Sequence, residues 1–183
     1  AVIAEGMESG GHIGELTTMP LVPQVVDAVD IPVIAAGGIA DGRGMAAAFL
    51  LGAEGVQCGT IFLATPECQI SEKYKELVLK ATDISTVVTG RPSGHPCRSI
   101  KTPLQRKCLE LEKTVTNQSL EEIEAATAGS LRKAVQDGNY EEGTFLCGQI
   151  AGMIRDTHTC EEVIRGMTGQ AEELLKSAYR RFE

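Results

Sequence analysis

Three short apolar runs in the first third of the chain, each stopped by glycine, limit its possible folds more than any other feature. Ala1–Glu5 stops at Gly6, Ile31–Ala36 at Gly37-Gly38, and Glu54–Cys58 at Gly59-Thr60. Between them lie two amphipathic stretches, Leu21–Val29 and Gly42–Leu51, with apolar residues at helical spacing. Continuous apolar strands alternating with helices predict a parallel sheet covered on both faces. Three such βα units in a row predict an α/β fold, one side of a TIM-type barrel. A complete (βα)8 barrel takes about 250 residues, and this chain has 183. The expectation is the C-terminal part of such a barrel over residues 1–65, with the N-terminal half of the barrel absent.

After Thr65 the rhythm changes. A small, mostly helical domain is expected over residues 66–143, with residues 144–183 returning to the barrel as C-terminal helices. Ser71 caps a predicted helix reaching about Ala81, and the β-branched run Ile84–Thr89 predicts a short strand. Gly90–Pro103 reads as loop, and Thr102-Pro103 opens the next helix. Ser119 with Glu122, and Thr159 with Glu162, fit capping boxes. A turn is expected at Gly138-Asn139, and an apolar helix over Phe145–Ile154.

Composition narrows the function. A net charge of −8 argues against a nucleic-acid partner, which needs a positive face. No apolar run approaches membrane-spanning length, so no membrane partner is expected. The six cysteines form no CxxC pair and do not cluster with the three histidines. They predict reduced thiols, no metal site and a cytoplasmic setting. A small-molecule substrate and a homodimeric assembly complete the expectation.

Two glycine turns predict a phosphate site. Gly37 and Gly38 let backbone approach a ligand closely, and the helix that starts after Asp41 is expected to offer free N–H groups. Gly59-Thr60 repeats the arrangement at the end of the next strand, matching barrels that hold phosphate between their last two strand-end loops. Backbone donors also explain how an acidic chain holds an anion, because the field that matters is local. His12, in Gly10-Gly11-His12-Ile13-Gly14, follows the first strand at the same sheet end. Imidazole exchanges protons near neutral pH, so His12 is the candidate catalytic residue. Glu5 is a candidate contact for a polar cofactor edge, or else a mouth charge. His95 is a candidate for the substrate entrance, whereas His158 is expected at the surface. Gln149, if buried, needs partners and either bonds nearby backbone or reaches the ligand.

The segments Ala4–Gly14, Ile34–Gly42 and Gly55–Phe62 together resemble the nitronate monooxygenase family (2-nitropropane dioxygenase-like). That family includes the flavin-dependent type II enoyl-acyl-carrier-protein reductases. The resemblance continues through Gly94-His95, Arg98–Lys101 and Gly148–Gly152. It implies FMN as cofactor, with Gly37, Gly38, Gly59 and Thr60 at its phosphate, His12 as catalytic residue, and NADH or NADPH as reductant. Between Ile84 and Leu109 the chain has no acid but carries Arg91, Arg98, Lys101, Arg106 and Lys107. On an acidic protein this reversal suits an acidic partner such as acyl carrier protein, or a dinucleotide phosphate. It favours reduction of a trans-2-enoyl-acyl-carrier-protein in fatty acid synthesis. The alternatives are oxidation of alkyl nitronates with oxygen, and a truncated, non-catalytic fragment that binds a phosphate ligand.

Overall fold

In a computed structural model, which describes residues 1–182, the first strand is β1 (Val2–Glu5). It is followed by β2 (Gly11–His12), α1 (Thr18–Ala28), β3 (Val33–Ala36), α2 (Gly42–Leu50) and β4 (Gly55–Gln57). Strands β1, β3 and β4 form a parallel sheet in that order, Glu5 opposite Ala36 and Ala36 opposite Gln57. The three strand ends therefore stand side by side, and the residues that follow them meet in space. This is the alternation read from the apolar runs, but the expected cover on both faces is incomplete: Ile3 of β1 is 51% exposed and no residue of β4 is buried. Helix α1 begins three residues before the expected Leu21. Its Pro20 sits in the first turn, where an amide has no intrahelical partner to lose.

The rest of the chain is α3 (Glu72–Leu79), β5 (Thr86–Thr89), β6 (Cys97–Ile100), α4 (Pro103–Glu112), α5 (Asn117–Thr127), α6 (Ser130–Val135) and α7 (Cys160–Ser177). Three sequence expectations change here. First, Cys97–Ile100 is a strand rather than part of a loop. It pairs antiparallel with β5 and with β2, which gives a second sheet of order β2-β6-β5 that joins the first segment to two strands in the region expected to be mostly helical. Second, the capping box of α5 uses Thr116 with Ser119, so Ser119 is the inner member rather than the cap. Third, Phe145–Ile154 is not one helix, and only Gln149–Met153 winds into a short 3-10 turn. Gly152 lies so close to the backbone at Thr82 and Asp83 that a Cβ would sit 2.8 Å from the Asp83 nitrogen.

Two apolar clusters hold these parts. One joins Val22, Val33, Ala35, Ile39 and Ala48 with Met167 of α7 beneath the parallel sheet. The other centres on Tyr74, Val78, Ile100, Phe145 and Ile150, with the Tyr74 and Phe145 rings edge to face at 5.0 Å. Helix α7 packs along α2, where Gln170 Oε1 accepts the Gly42 amide at 2.8 Å. Its own start is the expected Thr159–Glu162 capping box. All six cysteines are free, and no helix among the described residues is long and apolar enough to cross a membrane.

Candidate functional site

The strand ends open onto a cleft of about 400 Å³. Glu5, Gly37, Gly38, Gly59 and Thr60 all line it, so the structure brings together every residue expected at the cofactor. Gly37 and Gly38 take consecutive left-handed conformations, φ +85° and +72°, which L-residues with a Cβ adopt only at a cost. At Gly37 a Cβ would stand 2.6 Å from the carbonyl oxygen of Gly6. The paired turn brings backbone, not side chain, to the cleft wall. Among the described residues, no acceptor takes the amides of Gly38, Gly59 or Thr60. No lysine or arginine lines the cleft, so an anion placed there would meet backbone N–H groups and no cationic side chain.

The start of α2 does not contribute as expected. Its Gly42 amide goes to Gln170, and the Arg43 and Gly44 amides go to the Asp41 carboxylate at 2.9 and 3.4 Å. Burial opposes the charge on Asp41, yet hydrogen bonds from the Arg43 side chain and from these two amides hold its pKa below the ordinary value. Asp41 is thus the predicted helix cap, and because it caps, it closes that terminus to a ligand.

Other parts of the wall were not legible from the motifs. Both carboxylate oxygens of Glu8 accept the Thr18 amide at 3.0 Å, and the Thr18 hydroxyl donates to Glu8 and to the Gly37 carbonyl. Glu8 therefore does the capping that Thr17 leaves undone, and the positive end of α1 offsets its charge beside the cleft. The opposite wall is Leu146, Cys147, Gly148 and Ile150. The Gly148 amide donates to the Thr60 hydroxyl at 2.8 Å, and the Gln149 amide to the Glu8 carbonyl at 2.8 Å. Tyr74 donates its hydroxyl to the Leu146 carbonyl at 2.6 Å from below. Burial pushes the Cys147 thiol up to about 12, so it stays protonated.

His12 does not line the cleft. It stands two residues beyond Gly10, which does, and its side chain is exposed on the second sheet opposite Cys97. His95 lies across from it, ring centroids 6.5 Å apart and nearly perpendicular. The two histidines form a pair outside the glycine-lined space. Gln149 is exposed and outside the cleft, so neither expected role for its side chain holds and only its amide takes part. His158 is at the surface as expected.

A model of the nitronate monooxygenase family matches residues 1–170. The chain belongs to that family. It is 38% identical to "Probable nitronate monooxygenase" of Staphylococcus saprophyticus over 95% of this chain and 51% of that protein. Among solved structures, FabK from Thermotoga maritima superposes with a TM-score of 0.93 and 49% identity, covering 98% of this chain and 56% of that one. A nitroalkane oxidase from Streptomyces ansochromogenes superposes at 0.76 with 26% identity, over 96% of this chain and 52% of that one. The chain spans about half the length of these relatives, and the α/β fold matches theirs.

A family flavin fits what this cleft offers. Its volume lies in the range usual for cofactor pockets. The unpaired amides suit a phosphate, and Gly59, with nothing within 4 Å of the place a Cβ would take, leaves room beside them.

Proposed function

We propose that this chain is the phosphate-binding part of an FMN-dependent oxidoreductase that reduces trans-2-enoyl-acyl-carrier-protein with NADH or NADPH. The observation that carries the reading is the convergence of unpaired amides from two neighbouring strand ends, Gly38 on one and Gly59-Thr60 on the next, around a single cleft. These groups would hold the FMN phosphate, and Glu5 would meet a polar edge of the ring. Bound FMN supplies hydride transfer from the nicotinamide to the β-carbon of the enoyl thioester. His12 would deliver or orient the proton that the adjacent carbon takes up. The likeness to Thermotoga FabK supports the reductase branch. Arg106 and Lys107 are exposed on α4 and would steer the acidic carrier protein. Of the other cations in that stretch, Lys101 is exposed with its Nζ on the Ile84 carbonyl, but Arg91 pairs with Glu15 at 3.2 Å and Arg98 is buried, so the basic face is smaller than the sequence suggests.

A second reading, nitronate oxidation with His12 as the base, draws on the Staphylococcus and Streptomyces relatives. Both readings share cleft and histidine, and assays separate them. Purified full-length protein should be yellow and bleach under NADH without oxygen. Reoxidation by crotonyl thioester selects the reductase, whereas nitronate-driven oxygen uptake selects the monooxygenase. Colourless protein that takes up no FMN rejects both. Replacing His12 with Ala should lower turnover about 10²–10⁴-fold while FMN content is unchanged; equal losses of both would remove His12 from the chemistry.

A further inference from the structure

Arg98 is 4% exposed, yet among the described residues no carboxylate lies within salt-bridge distance of it. A buried guanidinium with no carboxylate in contact is expensive even though the Glu8 charge nearby favours it, and its position shows what it holds. Nε and Nη2 both donate to the carbonyl oxygen of Met7, at 3.3 and 3.0 Å, and Nη1 donates to the Thr86 hydroxyl at 3.2 Å. The backbone of Arg98 is at the same time the ladder partner of Gly11, and its neighbour Cys97 that of His12. One residue thus grips the chain at Met7 by its side chain and at Gly11 by its main chain. The residues between these grips are Glu8, Ser9 and Gly10, and all three line the cleft. His12 follows immediately.

We infer that Arg98 is the positioning residue of the cleft wall, a fork that fixes Glu8–Gly10 and the approach to His12. The other ties in this span come from the start of α1 and from residues 147–149, and none of them holds Met7 or Gly11 as Arg98 does. Ser9 keeps its amide on the Gly6 carbonyl at 3.1 Å, but its buried hydroxyl has no partner. Glu8 is tied by its carboxylate to Thr18 at the start of α1 and by its carbonyl to the Gln149 amide, and Gly10 packs against Cys147-Gly148. A planar fork holds one carbonyl from two nitrogens while a third reaches Thr86, a geometry that the point charge of lysine does not reproduce.

The inference rests on the flavin reading only for its affinity measurement. The test compares Arg98→Lys, Arg98→Met and Thr86→Val with the parent by FMN titration, the visible spectrum of bound flavin, and amide hydrogen exchange without FMN. Arg98→Lys keeps the charge and loses the fork. It should weaken FMN about tenfold to a hundredfold, shift the flavin bands, and speed exchange at Met7–His12 while β1, β3 and β4 stay protected. Thr86→Val, which leaves the Met7 grip, should weaken FMN less than Arg98→Lys does. Arg98→Met should weaken FMN at least as much as Arg98→Lys if it folds, and the other two variants decide the matter if it does not. Full recovery of affinity, spectrum and exchange by Arg98→Lys would overturn the fork, because charge alone would then suffice. Unchanged exchange at Met7–His12 in Arg98→Lys would also overturn it. A parent protein that binds no FMN would defeat the proposed function, while the exchange measurement would still judge the clamp.

Discussion

Replacing Gly37, Gly38 and Gly59 one at a time with alanine separates glycine that shapes the turn from glycine that makes room for a ligand. At Gly37 two costs combine. The left-handed conformation (φ +85°) costs an L-residue about 1–2 kcal/mol. A methyl 2.6 Å from the Gly6 carbonyl oxygen forces backbone apart, adding about 1–3 kcal/mol. Gly37→Ala should therefore lose about 2–5 kcal/mol in urea melts. At Gly38 the added methyl meets only the Glu8 side chain, at 3.4 Å, so conformational strain of about 1–2 kcal/mol is the whole effect. At Gly59 the backbone is right-handed (φ −112°) and a Cβ meets nothing within 4 Å. Gly59→Ala should be neutral or gain about 0.4–1 kcal/mol through the unfolded chain, yet its methyl enters the cleft beside an unpaired amide and should weaken FMN binding. The assay pairs each urea melt with an FMN titration. Gly59→Ala that binds FMN as tightly as the parent, with Gly37→Ala undiminished in stability, would refute the cradle.

Tyr74→Phe leaves the partly buried Leu146 carbonyl without its donor, a loss of about 1–3 kcal/mol, which a thermal melt should register as a fall of about 2–12 °C. Asp41→Ala removes the cap of α2 and should cost about 1 kcal/mol at neutral pH. The folded pKa of Asp41 lies below its ordinary value of 3.8, so its contribution is complete above that value and disappears as pH falls through the folded pKa. The gap between parent and Asp41→Ala should then close in acid urea melts, and a gap that stayed constant would show that the carboxylate charge is irrelevant.

What could be foreseen followed from whether a signal was local. Strands β1, β3 and β4 were legible because each is a short run ended by glycine and separated from the next by a helix, and the strand-end loops carried the glycines of the cleft with them. Strand β6 was not, since Cys97–Ile100 follows a stretch of Gly, Pro and Ser and becomes a strand only through its partners β5 and β2. The same limit hid half of the site. Glu8 has no motif, and its role exists only because α1 begins where its carboxylate can reach. Residues 145–154 carry apolar spacing that suits a helix, but Gly148 and Gly152 mark close backbone approaches that forbid one. His12 stood out as a histidine between glycines, but that it joins the second sheet and faces away from the cleft lining depended on the unforeseen β6.

The meeting of Gly10 and Gly148 has a consequence for biosynthesis. A Cβ on Gly10 would stand 2.6 Å from the Cys147 Cα, and one on Gly148 would stand 2.6 Å from the Glu8 carbonyl oxygen, so one rim is sealed by segments nearly 140 residues apart in sequence. A nascent polypeptide still short of Gly148 carries the glycine loops without the surface that faces them. Under the proposed function, loading with a prosthetic group would then be a late event, after translation has passed this point, and a ribosome stalled earlier would expose only half a receptacle.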